Sequence, residues 1–313
     1  MTPRERVIAA IQHQETDYLP YDLDLYGTSY AQLVAYYGGE ANLPRWKNHI
    51  VRIGATGLEI VAPRFTEEAV AAYEFPDASD PACYAHIPEI ISANRDIFTI
   101  AFVGSSYFER SWGMFGMENV LVEMVANPEF MERIYQKILA FNLLMIDCYL
   151  QFDVDCVHLN DDWGQQKGLI MGPANWRHFI KPGFAEMAAR IKRGGKYVYV
   201  HSCGDVSEIF PDLIDMGVDI LNPFQPEAMD VFALKRTYGQ HITFHGGISQ
   251  QHTMARGTPD DVEREMREKI PRLGHGGGYM LAPSQGITED TPPANIARFL
   301  ELAMAQPTRH SSS

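Results

Sequence analysis

Short apolar runs rich in β-branched and aromatic residues recur along the chain, and most are followed by a longer stretch with helical spacing. Eight runs read as strands: 18–25, 57–62, 97–103, 156–159, 197–200, 219–222, 241–245 and 278–282. Helices are expected at 3–14, 30–37, 44–53, 128–150, 176–191, 206–216, 231–238, 259–273 and 292–305. The first has a sequence-level start, with Thr2 as cap, Pro3 at the first helical position and Glu5 at the third. The 128–150 helix carries its apolar stripe on Phe130, Ile134, Ile138, Phe141 and Met145. Tyr197 to Val200 has no polar interruption, as in a strand buried on both faces of a parallel sheet. Eight strands alternating with helices, with no linker between halves, predict an α/β protein: a single (β/α)8 TIM barrel over residues 1–306 with an N-terminal helical extension. Residues 307–313, ending in three serines, read as a disordered tail.

Polar residues cluster after nearly every strand, where barrel enzymes place their chemistry. These are Asp22 and Asp24, Arg64, Ser105 and Tyr107, Asn160 to Asp162, His201 and Cys203, Asn222 and Gln225, His245, and Ser284 with Gln285. From this ring we take Asp22, Asp24, Tyr107, Asn222, Gln225 and Gln285 as candidate substrate contacts. Asp161, Asp162 and His245 are candidate catalytic groups.

Composition narrows the partners. The 313 residues are 46% hydrophobic, enough for a large core, and the formal charge of −14 is adverse to nucleic acid and to anionic membrane surfaces. A small-molecule substrate is the expected partner, and a homodimer is left open. Cys83, Cys148, Cys156 and Cys203 form no regular framework, so a reducing, cytoplasmic setting is expected. No apolar run reads as a signal peptide or a membrane span.

The sharpest chemical signal is His201-Ser-Cys203. Side chains two apart on a strand point the same way, so one imidazole and one thiolate, ligands that zinc prefers, can converge on a single ion. The competing explanation is a hydrogen-bonded histidine beside an inert cysteine. Asp161 and Asp162 are adjacent, so only one can face inward; the other reading of Asp162 is a helix cap. His158 lies inside a strand and reads as a core histidine, and Gly274-His-Gly-Gly-Gly278 reads as a tight loop.

Gly116-Met-Glu-Asn119, Asn127-Pro-Glu-Phe130, Asp161-Asp-Trp-Gly164, His201-Ser-Cys-Gly204, Asn222-Pro-Phe-Gln-Pro226 and Gly277-Gly-Tyr-Met-Leu-Ala-Pro-Ser284 together resemble the uroporphyrinogen decarboxylase superfamily over most of the chain. The resemblance implies a (β/α)8 barrel. It also implies membership of one of two branches: cofactor-free tetrapyrrole decarboxylases, or zinc-dependent methyltransferases that move methyl groups between corrinoid proteins and thiols or other small acceptors. Decarboxylases of the family carry an Arg-Gln-Ala-Gly-Arg segment near the N-terminus. This chain has Asp22-Leu-Asp-Leu-Tyr-Gly27 there, acidic where a polyanionic substrate needs cations, so turnover of uroporphyrinogen itself is not expected.

His201 and Cys203 match the methyltransferase branch's His-x-Cys, while its later cysteine falls about where Gln285 stands. The expectation is therefore a metal-dependent methyltransferase-like enzyme, with zinc on His201 and Cys203 and a corrinoid carried by a partner protein. His245 or an aspartate would complete the site, because a neutral amide is a poor zinc ligand. Two further readings stand beside it: a metal-independent lyase or decarboxylase using Asp161 or Asp162 with His245, and a barrel that binds a ligand without chemistry. On the sequence alone, Asp161→Asn is expected to fold normally and to lose turnover or metal.

Overall fold

A computed structural model describes residues 1–307; the tail expected at 307–313 lies, from residue 308, outside the described residues. The chain forms two compact units, one from residues 1–51, 96–98 and 220 onward, the other from residues 52–95 and 99–219. It passes from the first to the second within strand β1 (Ile50–Gly54).

The second unit is built on β2 (Phe98–Val103), β3 (Cys156–Asn160) and β4 (Tyr197–His201). These strands are parallel and in unbroken register, Ile100 opposite Cys156 and Cys156 opposite Tyr197. Their apolar residues are almost wholly buried, as their uninterrupted composition requires. At the start of β3 the Asp155 carboxylate accepts from the Thr99 backbone N–H at 2.9 Å and from its hydroxyl at 3.1 Å, fixing the register. The helix Pro128–Tyr149 buries the stripe read from the sequence, Phe130, Ile134, Ile138, Phe141 and Met145.

In the first unit β5 (Ile220–Phe224), β6 (Thr243–Ile248) and β7 (Tyr279–Pro283) are parallel neighbours, with a register shift between Leu221 and Phe224. The helices Val231–Tyr238, Pro259–Gly274 and Pro293–Met304 stand where the pattern places them. Thr2 and Glu5 form the expected capping box on the helix Pro3–Ile11, and Gly274 to Gly278 is the expected tight loop, with Lys235 donating to the Gly277 and Gly278 carbonyls.

The N-terminal expectations need correction. Residues 57–62 are not a strand: they run as an irregular segment with Val61 76% exposed. The strand lies at Ile50–Gly54, inside the stretch expected to be helical. Its two buried residues are Ile50 and Ile53, a spacing of three that imitates a helix. Residues 18–25 meet β7 only through isolated bridges, Tyr21 with Leu281 and Leu25 with Ile287. Pro20 has no N–H to donate and supplies only its carbonyl, to Leu281 at 2.9 Å.

Candidate metal centre

The centre is assembled where β3 and β4 end. Asn160 and His201 are the last residues of these strands and lie opposite each other in register, so the loop leaving one strand meets the loop leaving the other. Two glycines let the loops touch: a β-carbon on Gly164 would run into the Cys203 carbonyl, and one on Gly204, which has φ +81°, into the Gly164 backbone. Contact is then sealed by hydrogen bonds. Gly164 N–H donates to the Cys203 carbonyl at 3.1 Å, Asp205 N–H to the Gln165 carbonyl at 2.7 Å, and Trp163 N–H to the buried Ser202 hydroxyl at 2.9 Å.

This closure brings Asp162, His201 and Cys203 together, one donor atom from each lying within 4.8 Å of the others. His201 Nε2 is 3.3 Å from Cys203 Sγ and 3.6 Å from Asp162 Oδ1, and Oδ1 accepts from the Cys203 N–H at 2.9 Å. Tetrahedral zinc with ordinary bond lengths places neighbouring ligand atoms about 3.4–3.6 Å apart. The triad fits zinc in donor type and in the two separations from His201, and with its thiol deprotonated it would match the charge of a divalent ion. All three side chains are half-buried.

Asp161 does something different. It is 0% exposed; its Oδ1 accepts from Glu109 N–H at 2.6 Å, and its Oδ2 from Phe108 N–H at 2.9 Å and Trp163 Nε1–H at 2.6 Å. Two of these donors open the helix Phe108–Phe115, so the carboxylate anchors that helix's N-terminus to the end of β3. Burial pushes its carboxyl up to about 7, against the pull of the three donors. Of the adjacent pair, Asp162 faces the imidazole and thiol. The alternative reading of Asp162 as a helix cap finds no helix, because residues 164–169 form a short hairpin.

Tyr107 is buried, its ring tilted against that of Tyr135 with centroids 4.7 Å apart and its hydroxyl close against Gly183. His158 sits in the core between the rings of Phe102 and Tyr199, in agreement with its expected core role. Sequence reasoning missed Glu109. This half-buried carboxylate accepts from Asn160 Nδ2–H at 2.7 Å. The only signal was its place in the first turn after the polar Gly104-Ser-Ser106 loop.

The other expected residues belong to the first unit. His245 and Asp22 are both buried, with Nε2 3.8 Å from Oδ2, and Asn222 Nδ2–H donates to the His245 carbonyl at 3.2 Å. Gln225 is buried just beyond β5. Asp24 and Gln285 are half-buried on two segments tied by Ile287 N–H to the Asp24 carbonyl at 2.8 Å. A further carboxylate that the sequence pattern did not single out is Glu227, which accepts from the Ser249 hydroxyl at 2.6 Å and Gln251 N–H at 3.0 Å.

Parallel strands followed by helices define an α/β fold, with a carboxylate, imidazole and thiol gathered at strand ends. The fold is that of a methyltransferase from Methanosarcina mazei, matched with a TM-score of 0.73 over 97% of this chain and 98% of that one at 17% identity. The chain belongs to the uroporphyrinogen decarboxylase (URO-D) family, whose model matches residues 53–305. Among curated proteins it is 28% identical over 127 residues to the methylcobamide:CoM methyltransferase MtaA of Methanosarcina barkeri, covering 41% of this chain and 35% of that protein. It is 23% identical over 265 residues to a uroporphyrinogen decarboxylase of Paraburkholderia phytofirmans, covering 78% of this chain and 69% of that one. The chain thus spans about a third of the length of the first of these relatives. Among the described residues no helix is long and apolar enough to cross a membrane.

Proposed function

We propose that the chain is a zinc-dependent methyltransferase that moves a methyl group between a small molecule and a thiol or a corrinoid carried by a partner protein. The observation that carries this reading is the triad of Asp162, His201 and Cys203, in which His201 Nε2 stands 3.3 Å from Cys203 Sγ and 3.6 Å from Asp162 Oδ1, close to the separations that zinc ligands keep. Asp162 takes the place expected of a third ligand, so neither Gln285 nor His245 is needed to complete the set. Bound zinc would supply Lewis acidity, lowering the pKa of a thiol or hydroxyl that joins it. The chain's own residues do the rest. Asp162 is held by the Cys203 N–H, and Ser202 and the paired glycines keep the two loops at a fixed separation. Asp161 fixes the Trp163 indole and the first turn that carries Glu109.

The acid/base alternative, expected on Asp161 or Asp162 with His245, draws its support instead from a different pair, the buried His245 beside Asp22 in the first unit. Demethylation of methylcobalamin by a simple thiol, followed by the cobalamin absorbance, separates the two readings. The methyltransferase reading predicts turnover that chelator abolishes and zinc restores. Turnover of any substrate that survives exhaustive chelation favours the acid/base reading.

A further inference from the structure

Residues 20–24 are bonded like the inner strand of a sheet, yet on one side the neighbour is a pair of side chains. Even-numbered residues bond towards β7 and the residues after it. The Pro20 carbonyl accepts from Leu281 N–H at 2.9 Å, Asp22 N–H donates to the Leu281 carbonyl at 3.0 Å, and the Asp24 carbonyl accepts from Ile287 N–H at 2.8 Å. Odd-numbered residues turn their backbone groups the other way, as strand geometry requires. There the Asn48 side chain meets Leu23, its Oδ1 accepting the Leu23 N–H at 3.2 Å and its Nδ2–H donating to the Leu23 carbonyl at 2.9 Å. His49 meets Tyr21 in the same way: Nδ1 accepts the Tyr21 N–H at 3.3 Å, and the His49 backbone N–H donates to the Tyr21 carbonyl at 3.2 Å. The Asn48 amide thus copies a peptide group, and the two residues replace the ladder of a neighbouring strand. His49 is itself fixed. It is buried with its ring against Tyr18 and Tyr21, and its carbonyl accepts from Phe98 N–H at 3.0 Å. Burial, and then the Arg6 charge, push its imidazole down to about 3, so Nδ1 stays an acceptor at neutral pH.

The residue between the two captured ones is Asp22, buried, with Oδ2 3.8 Å from His245 Nε2. We propose that Asn48 and His49 are positioning residues that set the Asp22 carboxylate against the His245 imidazole. The inference rests on the Asp22 and His245 pair of the acid/base alternative and is independent of the metal. Its logic is that of placement. A proton-transfer pair works only within hydrogen-bond reach, and a displacement of about 1 Å can cost about 100-fold in rate. The bonds to β7 hold the segment from one side only. Asn48 and His49 hold it from the other, through the backbone of Tyr21 and Leu23, so Asp22 is gripped on both flanks.

The test reads the imidazole. In full-length protein labelled with nitrogen-15 histidine, the His245 ring signals are identified by their loss in His245→Gln and followed by NMR at neutral pH. Asn48→Leu keeps the side chain's volume and removes both bonds to Leu23. Its His245 ring-nitrogen shifts should move in the same direction as those of Asp22→Asn, because both take the carboxylate from the imidazole. A merely structural role for Asn48 would lower the denaturant midpoint and leave these shifts in place. Asn48→Ser, smaller and still polar, carries the same comparison if Asn48→Leu does not fold. Shifts that move in Asp22→Asn but not in a folded Asn48 variant overturn this proposal alone. Failure of both Asn48 variants to fold overturns it too, since the ladder is then a requirement of the fold. Shifts that stay in place in Asp22→Asn remove the coupled pair, and the acid/base reading falls together with the proposal.

Discussion

Replacing Cys203 by serine is expected to strip the protein of its metal while leaving the apo fold unchanged. Thiolate is the softest donor of the triad and the one that most favours zinc, and a serine hydroxyl stays protonated at neutral pH. With only Asp162 and His201 left, affinity should fall by more than about 100-fold, beyond the 10–100-fold that losing a supporting partner costs. The backbone groups that hold the loop are untouched: Cys203 N–H still reaches Asp162 Oδ1, and its carbonyl still accepts from Gly164. Competition against a chromophoric chelator gives the affinity, and urea unfolding of the apo proteins gives the stability. Unchanged zinc affinity would remove Cys203 from the ligand set.

The second large effect is on stability. Asp161→Asn should cost roughly 2–4 kcal/mol, because an amide cannot accept on both sides as the carboxylate does, and a stranded buried donor costs about 1–3 kcal/mol. Whichever way the amide turns, its NH2 group faces either Glu109 N–H or the Phe108 and Trp163 donors. The helix Phe108–Phe115 also loses the negative group at its N-terminus. Since Asp161 adjoins Asp162 and holds the Trp163 indole on the same loop, activity should fall alongside stability. Denaturant midpoints of the two proteins check this. A variant as stable as wild type would mean that the three donors contribute little, and would restore the sequence-based expectation of normal folding.

Much of the site was legible in the sequence, for identifiable reasons. His201 and Cys203 could be paired from a two-residue spacing at the end of an apolar strand, since strand periodicity alone puts them on one side. The same logic showed that only one of Asp161 and Asp162 could join them, but not which one. That choice depends on where the helix Phe108–Phe115 points its free N–H groups, about fifty residues away in sequence. Glu109 was invisible for a related reason. Its partner Asn160 is distant in the chain, and nothing in a single glutamate within an amphipathic helix marks it as held. Among the strands, those buried on both faces announced themselves, whereas Ile50–Gly54 did not, because two isoleucines three apart imitate a helical face. Residues 57–62 have strand composition, but a local pattern cannot show whether a neighbour is there to pair with.

The central claim, a zinc held by one carboxylate, one imidazole and one thiolate, is tested most directly by zinc-edge X-ray absorption on protein purified without a metal-affinity step. The account predicts about one zinc per chain with a single sulfur at about 2.3 Å and the remaining ligands nitrogen or oxygen at about 2.0–2.2 Å. The sulfur signal should be lost in Cys203→Ser reloaded with zinc. A chain that takes up no zinc, or a first shell with no sulfur, would contradict it.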